Sequence, residues 1–326
     1  MRGTGPEVVC LGEMLVEMMR AEVGVPHDVP GIYKGPYPSG APAIFIDSAA
    51  RMAADLPKKT STGFVGVVGD DAFGRMLVEK LRGDGVDVSR VRVDPEHATG
   101  VAFVQYDPDG SRKFIFSAGA AGMTRPEDLD AKFFRNVKSL HVMGSALAIS
   151  ESSREACYEA IRLTRQANPR AMVSFDPNLR PEMAPLDQIA RMCEPVLNEA
   201  NVILPSGEEA ALIAGVSDEL EACRKLLEGP AEMVVLKRGE AGCVLVTPDG
   251  ERAVEGFKVE EVDPTGAGDS FGGAFIVGLL QGWPPEKAAT FANAVGALKV
   301  TSFGPMPDHW LKDVLLLVDQ QRPGAI

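Results

Sequence analysis

Short β-rich runs alternate along this chain with longer runs of helical period, and that alternation narrows the fold more than any other feature. Val8–Leu11, Gly63–Val68, Leu140–Met143, Met172–Phe175, Asn201–Leu204 and Met233–Leu236 read as strands. Most are continuous apolar runs, as expected for a sheet covered on both faces. Between them, Phe73–Leu81, Ser152–Ala167, Leu186–Glu199 and Leu220–Leu227 read as helices. The expected class is α/β, a doubly wound, mostly parallel sheet flanked by helices. No repeat, low-complexity tract or second-domain boundary is visible, so one domain over residues 1–326 is expected.

Two hairpins interrupt the alternation. Val101–Tyr106 and Arg112–Phe116 flank Asp107-Pro108-Asp109-Gly110, and Gly242–Thr247 and Arg252–Phe257 flank Pro248-Asp249-Gly250. Both connections are strong turn signals. The first hairpin is expected to project as a small antiparallel lid, built from about 13–37 and 98–118. Pro26–Pro42, rich in Gly and Pro, reads as an irregular functional loop.

Composition excludes several classes. The net charge of −13 repels phosphate backbones, so no nucleic-acid partner is expected. No run reaches the ~18 apolar residues of a membrane span, and the N-terminus, with Arg2, lacks the apolar stretch of a signal peptide. The five cysteines are scattered without a CxxC pair, and the four histidines form no ligand cluster. A cytoplasmic protein with reduced thiols is the expectation.

The segment that carries chemistry is Asp263-Pro264-Thr265-Gly266-Ala267-Gly268-Asp269-Ser270-Phe271, followed by a small-residue helix. Gly266 and Gly268 allow a sharp turn and close approach to a ligand. The first N–H groups of the helix lack intrahelical partners and face outward with the positive end of the dipole. That arrangement suits the charge on a phosphoryl group in flight. Asp269, in the first turn, can accept the proton of an attacking hydroxyl. A lone Gly-x-Gly-Asp would read better as an ordinary capped turn; the nine-residue run near the end of an α/β chain is far rarer.

At these residues the chain resembles the ribokinase-like (PfkB) carbohydrate kinase family, whose second signature reads Asp-Thr-Thr-Gly-Ala-Gly-Asp-Ser-Phe. Gly12-Glu13, Ser39-Gly40-Ala41-Pro42-Ala43 and Gly66–Gly74 look like further family segments. Phe175-Asp176-Pro177-Asn178-Leu179-Arg180 is similar to a run in fructokinase-like and 2-keto-3-deoxygluconate kinase-like members. The resemblance implies a ribokinase-like fold and an ATP- and Mg²⁺-dependent kinase, with K⁺ as a further cofactor. It implies Asp269 as catalytic base and Gly266, Ala267 and Gly268 as the anion hole. Asp263 and Thr265 match positions that hold a monovalent cation, completed by carbonyls near 300–304. Glu209 matches the residue that organises Mg²⁺ through water, although Ser206 stands where the family has Asn. Lys237, Gly239 and Gly242 match a nucleotide phosphate contact, and Asn293 a residue near the adenine. Lys237 reads equally well as a solvated strand end, and Asn293 nearly as well as helix packing. Arg180 faces either the transferring phosphate or a substrate carboxylate.

On the sugar side, Glu17 stands in the position of the carboxylate that holds hydroxyls, and Gly40 and Ala41 in the first glycine signature. Ile44 replaces the usual Asn there and cannot bond a hydroxyl. A small sugar or sugar acid is the expected partner, with a homodimer formed through the lid. The expected substrate is a six-carbon keto sugar phosphorylated on a terminal hydroxymethyl, of fructose or tagatose type. The runner-up is 2-keto-3-deoxygluconate. Acid-specific members add Tyr and Arg near the second lid strand, whereas Phe114-Ile115-Phe116-Ser117 has neither. Arg112 and Lys113 lie close by but are not counted, since either could point to solvent.

Other enzyme classes fit poorly. No Gly-x-x-x-x-Gly-Lys-Ser/Thr occurs, and Leu11-Gly12-Glu13-Met14 does not supply a dinucleotide fingerprint. A catalytically silent sugar- or nucleoside-binding protein is the alternative from another class, and the retained Asp269 speaks against it.

Overall fold

The structure, a computed structural model, describes residues 5–326 apart from Gly110 and Pro307. Gly110 of the first predicted turn and Arg2 of the N-terminal reading lie outside the described residues.

A nine-stranded sheet forms the centre. Its strands are β1 (Val8–Leu11), β4 (Thr62–Gly69), β5 (Val86–Asp94), β8 (Ser139–Met143), β9 (Met172–Asp176), β10 (Val202–Ile203), β11 (Met233–Lys237), β12 (Cys243–Thr247) and β13 (Gly250–Val254). Their order is β13-β12-β11-β10-β9-β8-β1-β4-β5. Every pairing from β5 to β11 is parallel; β12 and β13 extend the edge as an antiparallel hairpin. The second predicted hairpin therefore widens the main sheet.

Alternate side chains feed two cores. Val8 and Cys10 face one, Val9 and Leu11 the other. The first core is covered by α1 (Ala41–Ala53), α2 (Ala72–Gly83), α8 (Ala267–Leu280), α9 (Pro285–Val300) and α10 (Leu311–Gln321). The second is covered by α3 (Gly144–Ala148), α4 (Glu151–Ala167), α5 (Leu186–Leu197), α6 (Glu209–Ala214) and α7 (Glu219–Leu226). Burial on both faces explains why the strands read as apolar runs. All five cysteines are buried and unpaired. Among the described residues no helix is long and apolar enough to cross a membrane.

A four-stranded sheet lies beside this layer, in the order β3 (Tyr33–Ser39), β2 (Leu15–Arg20), β6 (Gly100–Tyr106), β7 (Arg112–Ser117). Its outer pairings are antiparallel and its central pairing, β2 with β6, is parallel. The expected irregular loop at 26–42 needs correction, because Tyr33–Ser39 is a strand. Pro36 and Pro38 are tolerated because β3 is an edge, where a missing N–H costs no ladder bond. A register shift between Glu17 and Met19 absorbs the irregularity.

Candidate active site

A cavity of about 860 Å³ opens at the carboxyl ends of the parallel strands, between the main sheet and the four-stranded sheet. Ligands of open α/β sheets bind at this end. The sequence-predicted site residues all line it except Asp263, which is buried behind it.

Gly266 is the N-cap of α8, with φ 80°. A side chain there would meet the Pro305 carbonyl at 2.8 Å, so the turn needs glycine. The Ala267 N–H closes a turn onto the Pro264 carbonyl at 3.2 Å. By their place in the first turn, the amides of Gly268 and Asp269 have no carbonyl one turn back to bond within α8. Ile44 packs under this loop, its methyls 3.2 and 3.3 Å from where a Gly266 Cβ would lie. Its apolar character therefore has a packing cause.

Asp269 is buried, and its Oδ1 accepts a hydrogen bond from Asn178 Nδ2 at 3.1 Å. Burial raises its pKa, opposed by Lys237, Arg180 and Arg112. Asn178 owes its place to Asp176, whose Oδ1 accepts the Asn178 N–H at 3.1 Å. The other Asp176 oxygen meets Lys237 Nζ at 2.5 Å. These partners end β9 and β11, two strands apart. Lys237 is thus no solvated strand end: it is 9% exposed and ion-paired, and its ammonium lies 3.3 Å from where a Gly268 Cβ would be. The surrounding carboxylates, Asp176 first, keep it charged against burial.

Glu209 opens α6 on the cavity wall. Its oxygens accept the Leu179 N–H at 2.9 Å and the Ser206 N–H and hydroxyl at 2.8 and 2.6 Å. Ser206 thereby fixes the carboxylate. A carboxylate so held fits an outer-sphere Mg²⁺ role, since Mg²⁺ keeps its waters and takes its remaining ligands from phosphates.

At the other end of the cavity stand two buried carboxyl groups. Glu17 Oε1 accepts the Ser39 hydroxyl at 2.6 Å, while Oε2 of both Glu17 and Glu13 has no partner. Burial pushes each up to about 7. Gly40, with φ 105°, caps α1 against the Glu13 carbonyl, which a Cβ would strike at 2.4 Å.

The four-stranded sheet contributes residues that sequence reading left out. Arg112 does not face solvent: its Nη1 donates to Thr265 Oγ1 at 3.1 Å. Lys113 does face solvent, paired with Asp107. The period of two on β7 puts Arg112, Phe114 and Phe116 on one face, and that alternation was the available signal. The guanidinium groups of Arg180 and Arg112 both lie near the Phe114 ring, at 5.9 and 5.8 Å from its centroid.

The Asp263 oxygens and the Thr265 hydroxyl are already engaged within the protein. Asp263 Oδ1 accepts the Thr265 N–H and hydroxyl at 3.0 and 2.7 Å and the Tyr106 hydroxyl at 3.2 Å. Its Oδ2 accepts the Gly304 N–H at 2.8 Å, and its carbonyl accepts Lys299 Nζ at 2.7 Å. Where sequence reading expected K⁺, the structure has a buried lysine.

Asn293 lines the cavity, but its Nδ2 donates to the Val254 and Glu255 carbonyls, both at 3.0 Å, tying α9 to β13. Gly239 and Gly242 hold the adjoining loop with φ 56° and 91°, and a Cβ on Gly242 would strike the Val254 carbonyl at 2.2 Å.

Residues 6–311 match the family model described as pfkB family carbohydrate kinase. A fructokinase-1 from Oryza sativa subsp. japonica is 33% identical over 319 residues, covering 94% of this chain and 95% of its own. A 2-dehydro-3-deoxygluconokinase from Thermoproteus tenax is 34% identical over 299 residues, covering 90% and 88%. Among solved structures, an E. coli protein provisionally called ribokinase II, in complex with ATP and Mg²⁺, is 38% identical with a TM-score of 0.88. It covers 97% of this chain and 100% of that one. The fructokinase with bound ATP from Xylella fastidiosa is 27% identical, with a TM-score of 0.81 and coverage of 96% and 98%.

Proposed function

The chain belongs to the pfkB family of carbohydrate kinases and is an ATP-dependent kinase, and we propose that it phosphorylates the terminal hydroxymethyl of a six-carbon keto sugar acid of the 2-keto-3-deoxygluconate class. The observation that supports the acid is the pair of guanidinium groups, Arg112 and Arg180, at 5.8 and 5.9 Å from the Phe114 ring centre in the cavity lining. A carboxylate that leaves water needs such partners, and the guanidinium fork matches it.

In this reading the acceptor hydroxyl lies against Asp269, which takes its proton as the bond to phosphorus forms. A pKa raised by burial makes Asp269 a better base than an exposed carboxylate. Asn178 fixes the direction of its Oδ1. The Gly268 and Asp269 amides face the developing phosphoryl charge. When bound, Mg²⁺ would neutralise charge on the nucleotide phosphates, and Glu209 would order its waters. The four-stranded sheet, about 13–37 and 98–118, closes over the sugar as a lid, since phosphoryl transfer must exclude water.

A neutral ketose of the fructose type is the second reading. It is favoured by the unpartnered Oε2 atoms of Glu13 and Glu17, which suit sugar hydroxyls. Comparing kcat/KM for 2-keto-3-deoxygluconate, fructose, tagatose, ribose and adenosine tests both. The acid is expected to lead. A lead for fructose or tagatose reverses the order, and a lead for ribose or adenosine overturns the six-carbon reading. ADP release with none of them would favour the silent binding protein.

A further inference from the structure

The turn that aims the Gly268 and Asp269 amides depends on Asp263, because every oxygen of that residue is occupied by the structure around it. Lys299 supplies the bond to the main-chain oxygen, at 2.7 Å. Its Nζ also lies 3.5 Å from the Ser302 carbonyl and 3.8 Å from Asp263 Oδ2. Lys299 is 2% exposed, near the end of α9, and the segment Thr301–Gly304 turns back over it. Two carbonyl oxygens and a carboxylate oxygen around one centre form the kind of donor set that a hard monovalent cation takes. Here that set surrounds an ammonium. A K⁺ at the same oxygens would stand within a few ångströms of a buried like charge, where screening is weak.

We infer that the Lys299 ammonium stands in for the monovalent cation beneath the anion loop, so that this kinase is built to work without K⁺. The compact ammonium has three donors and is tethered to α9, so it is present in every molecule. It leaves the loop fixed at any K⁺ concentration. The residues thus disagree with a K⁺ requirement, and Lys299 acts as a positioning residue that touches neither substrate nor nucleotide.

The test uses the full chain and does not depend on the sugar. Thermal unfolding and Mg·ADP affinity are measured in KCl and in tetramethylammonium chloride at equal ionic strength. The parent is expected to give the same Tm, and the same Kd within about twofold, in both salts. A K⁺ held at about a hundred times its Kd would raise Tm by several degrees; a rise specific to K⁺ in the parent overturns the inference. Lys299→Ala vacates the position. It is expected to lose about tenfold in Mg·ADP affinity in tetramethylammonium and to regain it in KCl. A folded Lys299→Ala that ignores K⁺ also overturns it. If that variant does not fold, Lys299→Met keeps the volume without the charge and is expected to lose affinity in both salts. Parent-like affinity in Lys299→Met counts against the inference.

Discussion

The hydroxyl of Tyr106, at the end of β6, donates to Oδ1 of Asp263, at the root of the anion loop, across 3.2 Å. With the Arg112–Thr265 contact at 3.1 Å, this ties both strands of the hairpin to the glycine-rich loop at the start of α8. If the hairpin closes as the proposed lid, its closure and order in this loop are linked through these two contacts. Tyr106→Phe is expected to lower kcat/KM by about two- to tenfold, the worth of one hydrogen bond. It should also weaken the protection from hydrogen exchange that sugar plus nucleotide confer on 100–117. Unchanged exchange in this hairpin on adding both ligands to the parent would speak against a lid.

Asp269→Asn is expected to reduce turnover on the order of 10²–10⁴-fold, the usual worth of a general base. Mg·ATP binding should persist, because the loop amides and Lys237 are untouched. Single-turnover rates and a nucleotide titration check both halves. Turnover within a few-fold of the parent would remove Asp269 from the role of base.

Much of the fold was legible because both faces of the sheet are buried: β1 has the predicted bounds, and the helices from α2 to α7 that were anticipated shift by only a few residues. The strand β3 was not legible. Two prolines argue against a strand in general, and only its place at an edge removes the objection. In the site, the anion loop could be read because its chemistry is local in sequence. Asn178 reaches Asp269 over 91 positions and Lys299 reaches Asp263 over 36, and such contacts are created by the packing of α8 against α9 and the ends of the strands. Arg112 was readable in principle, since strand alternation separates it from Lys113.

Stability should depend on pH through Glu13 and Glu17. Burial raises both from 4.5 to about 7, so between these values the folded chain holds more protons than the unfolded one. Their contribution is fully present below about pH 4.5 and is lost as pH rises through about 7. The shift corresponds to about 3 kcal/mol per group at most. Glu13→Gln should flatten the fall in Tm between pH 5 and 8 and raise Tm at the alkaline end. A variant with the parent's pH profile would show that Glu13 does not titrate in this window.

The ion pair of Asp176 and Lys237 makes the sharpest test of how the site is held. Its charges are buried, so removing one partner strands the other: Lys237→Met should cost on the order of 3–5 kcal/mol. Removing both charges, as in Asp176→Asn with Lys237→Met, leaves no stranded ion, and most of that cost should return. Turnover should not return with it. The Asp176 carboxylate holds the Asn178 N–H at 3.1 Å and helps keep Asn178 at φ 38°, from which its side chain reaches Asp269. An amide at 176 accepts more weakly, and without Lys237 the anion loop also loses its neighbouring charge. The double variant is thus expected to unfold in urea near the parent's midpoint while kcat stays at least tenfold lower, about the worth of one charge-assisted hydrogen bond. Stability losses that simply add in the double variant would mean that the two charges do not compensate each other, and recovery of kcat along with stability would remove Asp176 from the positioning of Asn178 and Asp269.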